Sequence, residues 1–239
     1  MKYITNYSDM LLIKFDDNIE HKYNSFYGIL NYNEITYIRC TGNKLLHLLK
    51  LPNSLTHLVC NVNNLTNLPE LPNLLIHLNC SQNNITHLPK LPNTLTYLNC
   101  SNNKIISLPL LPNGLEELSC SSNNLYNSKT KIGTLPQLPI TLKKLNCHTC
   151  GLNILPNLPN SLTHLSIHNN WIKNIPNIPI NIIQIRCDKN PIQTLPNMNK
   201  LPKSLIGLYA DKKFKKLIND ISDRFEKSDP MYNPNANYP

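Results

Sequence analysis

The chain has 239 residues, a formal net charge of +9 and a pI near 9.1. No apolar run reaches the roughly 18 residues that span a bilayer, which argues against a membrane-spanning protein. The segment MKYITNYSDMLLIKFDD has too short an apolar stretch for a signal peptide. The basic balance leaves nucleic acid open as a partner.

Residues 1–30 follow no repeat. Met10 to Phe15 and Ser25 to Leu30 mix aromatic and aliphatic residues with polar ones, which predicts short strands. Since a repeat array needs an atypical unit at each end to cover its last apolar layer, we interpret 1–30 as an N-terminal cap.

Residues 31–213 contain about nine repeats with a period near twenty residues. The rows from Leu51 onward read L-P-N-x-L-x-x-L-x-C-x-x-N-x-L, with leucine at places 1, 5 and 8, cysteine at place 10 and asparagine at place 13. Places 7 to 10 alternate between polar and apolar residues, which predicts a short strand with one buried face. Stacked rows then form a parallel sheet, and the place-13 asparagine is expected to bond the turn backbone of its own and neighbouring coils.

The return leg of each row is rich in L-P-x-L-P, as in Leu68–Pro72. Because two prolines so close together exclude an α-helix, the spacing favours an extended, polyproline II convex side. The predicted fold is thus a repeat solenoid, a leucine-rich-repeat horseshoe with a parallel β-sheet on its concave face.

The end of the chain departs from the repeat. Row Leu111–Gln137 carries an insertion around Ser128 to Thr134. Its simplest interpretation is a surface loop without a function that the fold tolerates, and the alternative is a loop that contacts a partner. Apolar residues from Phe214 to Phe225 follow a helical period, which predicts a capping helix over 214–227. Residues 228–239 have no periodicity and are expected to be disordered.

The eight cysteines argue against a disulfide framework. Seven of them occupy place 10, where other rows have Ile167 and Ala210, so the place behaves as a small apolar core site. Cys147 and Cys150 form a C-x-x-C, but both fall at core places and no second pair exists, so zinc or redox chemistry is disfavoured. Buried free thiols predict a reducing, intracellular setting, such as the cytoplasm of an infected host cell.

The repeat motif resembles the short leucine-rich repeats of secreted bacterial effectors of the Yersinia Yop M and Shigella Ipa H kind. The residue usage is also similar to the Asn-, Ile- and Lys-rich repeat proteins of giant amoebal DNA viruses. The resemblance covers about residues 31–210 and implies a binding module. Effectors of this group that are ubiquitin ligases carry a large C-terminal catalytic domain, so ligase activity is not carried over to this chain.

By that resemblance, the concave face is the expected binding surface, formed by side chains at places 7, 9 and 12. The candidate partner-binding residues are Tyr37, Arg39, His57, His77, Asn79, Tyr97, Asn99, Glu117, Lys144, His164 and Arg186. Tyr, His and Arg are suited to protein interfaces, although a solvated sheet face also needs polar residues.

The sequence predicts a non-catalytic scaffold that binds a protein partner, with no cofactor and no metal. No nucleophile–base motif or phosphate-binding loop is present, and His57 with His77 supplies too few ligands for a metal. Two alternatives stay open: a substrate-recognition adapter of a ubiquitin ligase, and an electrostatic nucleic-acid binder that uses the basic run Lys212–Lys216. That run more often forms a solvated helix face, and nucleic-acid binding is disfavoured.

Overall fold

The structure is a computed structural model that describes residues 11–14, 20–23, 32–196 and 201–226. Its strands are β1 (Leu11–Lys14), β2 (Glu20–Tyr23), β3 (Tyr37–Arg39), β4 (His57–Val59), β5 (His77–Asn79), β6 (Tyr97–Asn99), β7 (Glu117–Ser119), β8 (Tyr126–Asn127), β9 (Ile132–Gly133), β10 (Lys144–Asn146), β11 (His164–Ser166), β12 (Gln184–Arg186) and β13 (Gly207–Tyr209). The helix α1 covers Lys215–Glu226, and 3-10 turns lie at Tyr32–Glu34 and Lys212–Phe214.

Within the described residues, an 11-stranded sheet runs in the order β13-β12-β11-β10-β7-β6-β5-β4-β3-β1-β2. From β3 to β13 the neighbours are parallel, and each pairs place 7 with place 7, as in His57 with His77 and His77 with Tyr97. The unchanged register follows from the repeat, because each coil advances the chain by one strand. The fold is therefore the predicted leucine-rich-repeat solenoid.

The core lies behind the sheet as columns of identical residues. Leu58, Leu78 and Leu98 are fully buried at place 8, and every described strand from β4 to β7 buries only its middle residue. The cysteines continue the core at place 10 as free, buried thiols. Burial raises the pKa of Cys40, Cys80 and Cys187 to about 12, so these thiols stay protonated. The prediction of a small apolar core site at place 10 is confirmed.

The place-13 asparagines form the predicted ladder along the turns after the strands. Asn83 donates its Nδ2 to the carbonyls of Cys60 (3.0 Å) and Cys80 (3.1 Å), and its Oδ1 accepts from the amide of Leu65 (2.9 Å). The same triple contact recurs at several coils; the asparagines that make it are Asn63, Asn83, Asn103, Asn123, Asn170 and Asn190. Each amide thus joins two coils by satisfying backbone groups that would otherwise lie buried and unpaired.

A left-handed residue at place 12 completes each turn. Backbone φ is 57° at Val62, 53° at Gln82 and 54° at Asn102. The prediction that place 12 lies on the concave face together with places 7 and 9 is wrong. Place 12 lies beyond the end of the strand, where the chain must reverse, and so belongs to the turn.

At the N-terminal side, β1 pairs antiparallel with β3 through Ile13 and Ile38, and also with β2. The predicted strand Met10–Phe15 thus corresponds to β1, whereas β2 was not expected and Ser25 to Leu30 lies outside the described residues. The role of 1–30 as a cap remains a prediction, supported by the way β1 covers the edge of β3.

At the C-terminal side, α1 begins directly after the last coil and contacts β13. Phe214 and Ile221 are buried, and Leu217 and Ile218 pack against the core from partly buried positions. A C-terminal helix is therefore present over Lys215–Glu226, with Phe214 in the preceding 3-10 turn, and its role as a cap over 214–227 remains a prediction. The expected disordered tail, 228–239, lies outside the described residues.

The insertion near Ser128 to Thr134 is folded. β8 and β9 pair as a two-stranded antiparallel hairpin, and Asn153 of the next coil holds it by donating to the carbonyl of Lys131 (2.9 Å) and accepting from the amide of Gly133 (3.0 Å). A Cβ on Gly133 would lie 2.1 Å from the carbonyl oxygen of Gly151, so the two backbones touch. We call this hairpin, together with residues 150–153 beneath it, the joint.

Candidate protein-binding face

The parallel register brings all the predicted binding residues onto one face of the sheet. The place-7 column contains Tyr37, His57, His77, Tyr97, Glu117, Lys144 and His164, and the place-9 column contains Arg39, Asn79, Asn99 and Arg186. These positions flank the buried middle residue of each strand, so their side chains point away from the core. We call this surface, formed by places 7 and 9 of β3 to β12, the concave sheet face.

Four aromatic side chains on this face form a column in which the last three rings are stacked and Tyr37 is tilted by 34° against His57. Ring centroids lie 6.1 Å apart between Tyr37 and His57, 5.6 Å between His57 and His77, and 4.1 Å between His77 and Tyr97. The planes of His77 and Tyr97 differ by only 2°. We call Tyr37, His57, His77 and Tyr97 the ring column. Because the faces cover one another, the column presents ring edges, with their polar atoms, to a partner.

The hydroxyl of Thr56 anchors one imidazole of the ring column. Thr56 Oγ1 lies 2.9 Å from the carbonyl oxygen of Thr36 and 2.9 Å from His57 Nδ1. This contact occupies Nδ1 and leaves the Nε2 edge of the ring towards a partner. His164 and Thr163 repeat this arrangement through the carbonyl of Lys143.

Burial keeps the imidazoles of the face neutral at pH 7. Partial burial lowers the pKa of His57, and burial followed by the neighbouring His57 lowers that of His77, against a smaller opposing effect of Glu117. The pKa of His164 is lowered by burial and then by Lys144. The ring column therefore offers neutral hydrogen-bonding edges, and Arg39 is the charged member of the N-terminal half of the concave sheet face.

The C-terminal half of the face is charged, but its charges are largely paired. Lys144 Nζ lies 2.8 Å from Glu117 Oε1, and Arg186 Nε lies 3.2 Å from Asp188 Oδ1. Glu117, Lys144, Arg186 and His164 line an open groove of about 570 Å³. All of these groups are partly exposed, so the pairs are weak and available for exchange with a partner.

A second histidine pair was missed by sequence reasoning. His148 and His168 occupy place 11 of successive coils, and their rings stack with centroids 4.3 Å apart. Burial, then His148, then Arg186 lower the pKa of His168 to about 4. The signal was visible in the sequence, because the two residues share a place one coil apart.

The C-x-x-C residues lie in the core, as predicted. Cys150 stands where other coils have the ladder asparagine, and its Sγ donates to the carbonyl of Cys120 at 3.1 Å. In the part of the chain that the structure describes, no three His, Cys, Asp or Glu side chains are grouped so that they could hold a metal ion.

The basic run lies on the surface at the start of the terminal helix. Lys212 and Lys213 belong to the 3-10 turn and Lys215 and Lys216 to the first turn of α1, and all four are exposed. None of them belongs to the concave sheet face. Separately, the described residues include no helix with the length and apolarity that a bilayer crossing requires.

No family model matches the chain, and no curated protein matches it significantly. Among solved structures, YopM from Yersinia enterocolitica WA-314 is 34% identical over 71% of this chain and 36% of its own, with a TM-score of 0.65. YopM from Yersinia pestis, a leucine-rich effector protein, is 34% identical over 74% of this chain and 49% of its own, also with a TM-score of 0.65. A Shigella effector leucine-rich-repeat domain is 28% identical over 74% of this chain and 82% of its own, with a TM-score of 0.61.

The chain thus spans half or less of the YopM chains that it matches. Its likeness is to bacterial leucine-rich-repeat effectors, in agreement with the resemblance of the repeat motif.

Proposed function

We propose that this effector-type leucine-rich-repeat solenoid is a non-catalytic scaffold that binds a protein partner through its concave sheet face. The observation that carries the proposal is the ring column. Four large side chains project from the sheet in register, and their edges lie where a partner would dock. Tyrosine and other ring side chains are enriched at protein interfaces because they bury much area at low conformational cost.

The two halves of the concave sheet face suit a partner whose surface has both uncharged polar groups and charged groups. The ring column offers Tyr hydroxyls and neutral imidazole edges, so a partner would supply uncharged polar groups there. Lys144 and Arg186 offer charge-assisted hydrogen bonds once their weak pairs with Glu117 and Asp188 open. Place 9 adds the carboxamides of Asn79 and Asn99, which can donate and accept.

The setting proposed for this binding is intracellular, such as the cytoplasm of an infected host cell. The support is the column of buried free thiols, which suits a reducing compartment. The residue usage that resembles giant-virus repeat proteins and the likeness to bacterial effectors both fit a protein that acts on a host.

Two other functions are less favoured. A ubiquitin-ligase adapter would need a docking element besides the concave sheet face, and no motif for one is recognised in the sequence. A nucleic-acid binder would use Lys212, Lys213, Lys215 and Lys216, which lie at the end of the array and away from the ring column. Retention on heparin that falls steeply with salt would favour that alternative.

Affinity capture from host lysate with a paired variant tests the proposal. The double variant His77→Glu/Tyr97→Glu places two carboxylates in the ring column, and we expect it to lose the partner while keeping the wild-type circular dichroism spectrum. The matched control is His87→Glu/Ser107→Glu, at exposed places of the same two coils outside the sheet. Capture of the same partner by the ring-column variant, or its loss in the control, would show that the concave sheet face is not the site.

A further inference from the structure

We propose that the ring column is a proton-operated element of the concave sheet face: when His57 and His77 have both taken up a proton, their like charges separate the stacked rings and loosen strands β4 to β6. The proposal rests on the proposed function only for what the element regulates. The proton response itself belongs to the isolated chain.

The stack leaves little room for a second positive charge. His57 and His77 lie face to face at 5.6 Å, and His77 lies against Tyr97 at 4.1 Å. Once one imidazole of the pair is protonated, the other is opposed by a like charge, so the two take up protons in separate steps. The rings cannot relieve this repulsion by sliding past one another, because the strand pairs β4–β5 and β5–β6 hold His57, His77 and Tyr97 in register.

Protonation of His57 is compatible with its contact to Thr56. Nδ1 lies 2.9 Å from Thr56 Oγ1, which lies 2.9 Å from the carbonyl oxygen of Thr36. In the imidazolium both ring nitrogens carry a proton, so Nδ1 donates to Thr56 and the hydroxyl donates to Thr36. Because this hydrogen bond can be kept, the added charge acts on the stacked rings and on the Nε2 edge that faces a partner.

Among the side chains that the structure describes, few charged groups lie near the stack to compensate such a charge. On the side of β3 these are Lys14, whose Nζ lies 5.4 Å from the Tyr37 ring centroid, and Arg39, and both are cationic; β2 places Glu20 opposite Lys14 in the backbone register. On the other side is Glu117, two strands from His77, whose carboxylate is 2.8 Å from Lys144 Nζ. The carboxylate that acts on His77 is thus already paired, and its effect on the imidazole is smaller than that of burial and of His57.

The repeat offers matched variants that remove the titration and keep the rings. Tyrosine occupies both ends of the ring column, so His57→Tyr/His77→Tyr preserves a stack of four rings. The control His164→Tyr changes an imidazole at the same place of the repeat, between Lys144 and Gln184 and outside the stack. The pair His148 and His168 titrates in all of these proteins and so cancels from the differences.

Amide hydrogen exchange and NMR of the isolated chain test the proposal. Between pH 7.5 and pH 5 we expect exchange in β4 to β6, corrected for its intrinsic pH dependence, to accelerate in the wild type and in His164→Tyr. At pH values between the pKa of the imidazole in the native state and its pKa in the unfolded state, the equilibrium constant for local opening of these strands should change about tenfold for each pH unit. In His57→Tyr/His77→Tyr the acceleration should be absent. Equal acceleration in the double variant would overturn the proposal.

The ring resonances of Tyr37 and Tyr97 give a second readout that needs no variant. If the stack separates, their ring-current shifts change with the same midpoints as the imidazole Hε1 resonances of His57 and His77. Tyrosine resonances that stay fixed while both imidazoles titrate would overturn the proposal, even if the double variant does not fold. Neither measurement uses a partner, so a negative result leaves the binding proposal intact, and failed capture leaves the proton response intact.

Discussion

Different hydrogen bonds hold adjacent coils together in the regular coils, Leu51 to Leu110, and at the joint. In the regular coils, one asparagine per turn bonds three backbone groups on two coils. At the joint, the amide of Leu125 is instead bonded by the carbonyl of Cys150 at 3.0 Å. In a regular coil the corresponding amide donates to the Oδ1 of an asparagine. Because the amide of Leu125 already donates to a backbone carbonyl, this place needs only a donor to the carbonyl of Cys120, and the thiol of Cys150 supplies it.

The joint is held by contacts that the regular coils lack. Two cross-strand ion pairs, Glu116 with Lys143 and Glu117 with Lys144, both at 2.8 Å, connect the coils on either side of the insertion. Close backbone contact between Gly133 and Gly151 seats the hairpin. A repeat can therefore absorb extra residues where local contacts replace the ladder, provided that the strand register is kept.

The largest expected effect comes from the shared core. Leu78→Ala removes a fully buried side chain at place 8 of a regular coil and should lower the free energy of unfolding by about 2–5 kcal/mol. Urea denaturation followed by circular dichroism measures the loss. The control Leu74→Ala, at a side chain that is 54% exposed in the same coil, should change stability by about 0.5 kcal/mol or less. Equal losses would contradict the assigned core.

Gly133→Ala tests the close contact at the joint. The new Cβ would lie 2.1 Å from the Gly151 carbonyl oxygen, which is backbone and cannot turn aside, so the hairpin must move. We expect a loss of about 1–3 kcal/mol, measured by thermal and urea unfolding. Gly114→Ala is the matched control, because its Cβ would meet only Asn93 O, at 3.8 Å. A neutral Gly133→Ala would mean that the hairpin is not seated on Gly151.

The ladder itself is tested by removing one member on each side of the comparison. Asn83→Ala leaves the amide of Leu65 without its acceptor and removes one of the two asparagine donors from each of the Cys60 and Cys80 carbonyls, at a cost of about 1–3 kcal/mol. Cys150→Ala should cost less, because Leu125 keeps its bond to the backbone carbonyl. Urea denaturation of the two variants in parallel decides, and a larger loss for Cys150→Ala would reverse the interpretation of the joint.

Val62→Asn should stabilise the array. Val62 has a φ of 57° and is β-branched, a combination that strains the backbone, whereas asparagine tolerates this region and already stands at Asn102 in the same place. We expect a gain of about 1 kcal/mol in the free energy of unfolding. Gln82→Asn, from an unbranched residue at a φ of 53°, should gain less. A loss of stability in Val62→Asn would show that the valine side chain is needed for packing.

Acid should affect the coils after the insertion through His148 and His168. His168 binds a proton at about pH 4 in the folded protein and near 6.5 when unfolded, so the unfolded chain takes up more protons between these values. Stability is therefore unaffected above about pH 6.5 and falls as the pH drops towards 4. His168→Ser, which copies Ser81 and Ser101 of the regular coils, should flatten the pH dependence of the unfolding midpoint. An unchanged slope would exclude this histidine as its source.

Much of the fold was predictable because every coil places the same residue types at the same buried positions. Leucine at place 8 and cysteine at place 10 indicated the core, and the alternation around Leu58 indicated the strand. Place 12 was misassigned because residues as different as Val62, Gln82 and Asn102 occupy it, and side-chain chemistry carries no sign of a left-handed backbone. β2 was missed because EHKY has no strand-like alternation of apolar residues.

The candidate site was predictable as a set of positions but not as an arrangement. Register alone placed Tyr37, His57, His77 and Tyr97 in one column, since a parallel sheet of equal coils aligns equal places. The stacking of their rings depends on side-chain torsions and on which neighbours are large, which the pattern does not state. The anchoring of the His57 imidazole depends on a hydroxyl contact that spans two strands.

The amino-acid sequence by itself determined the coil, because leucines, thiols and amides that recur every twenty residues are all buried when successive coils stack in register. Tertiary structure alone decided how the irregular parts fit: the hairpin on Gly151, the thiol at Cys150 and the neutral imidazole stack. The physical reason is that periodic burial is a local property, repeated in every coil. Contacts at the joint and along the ring column depend on distances between chain segments that only the folded array brings together.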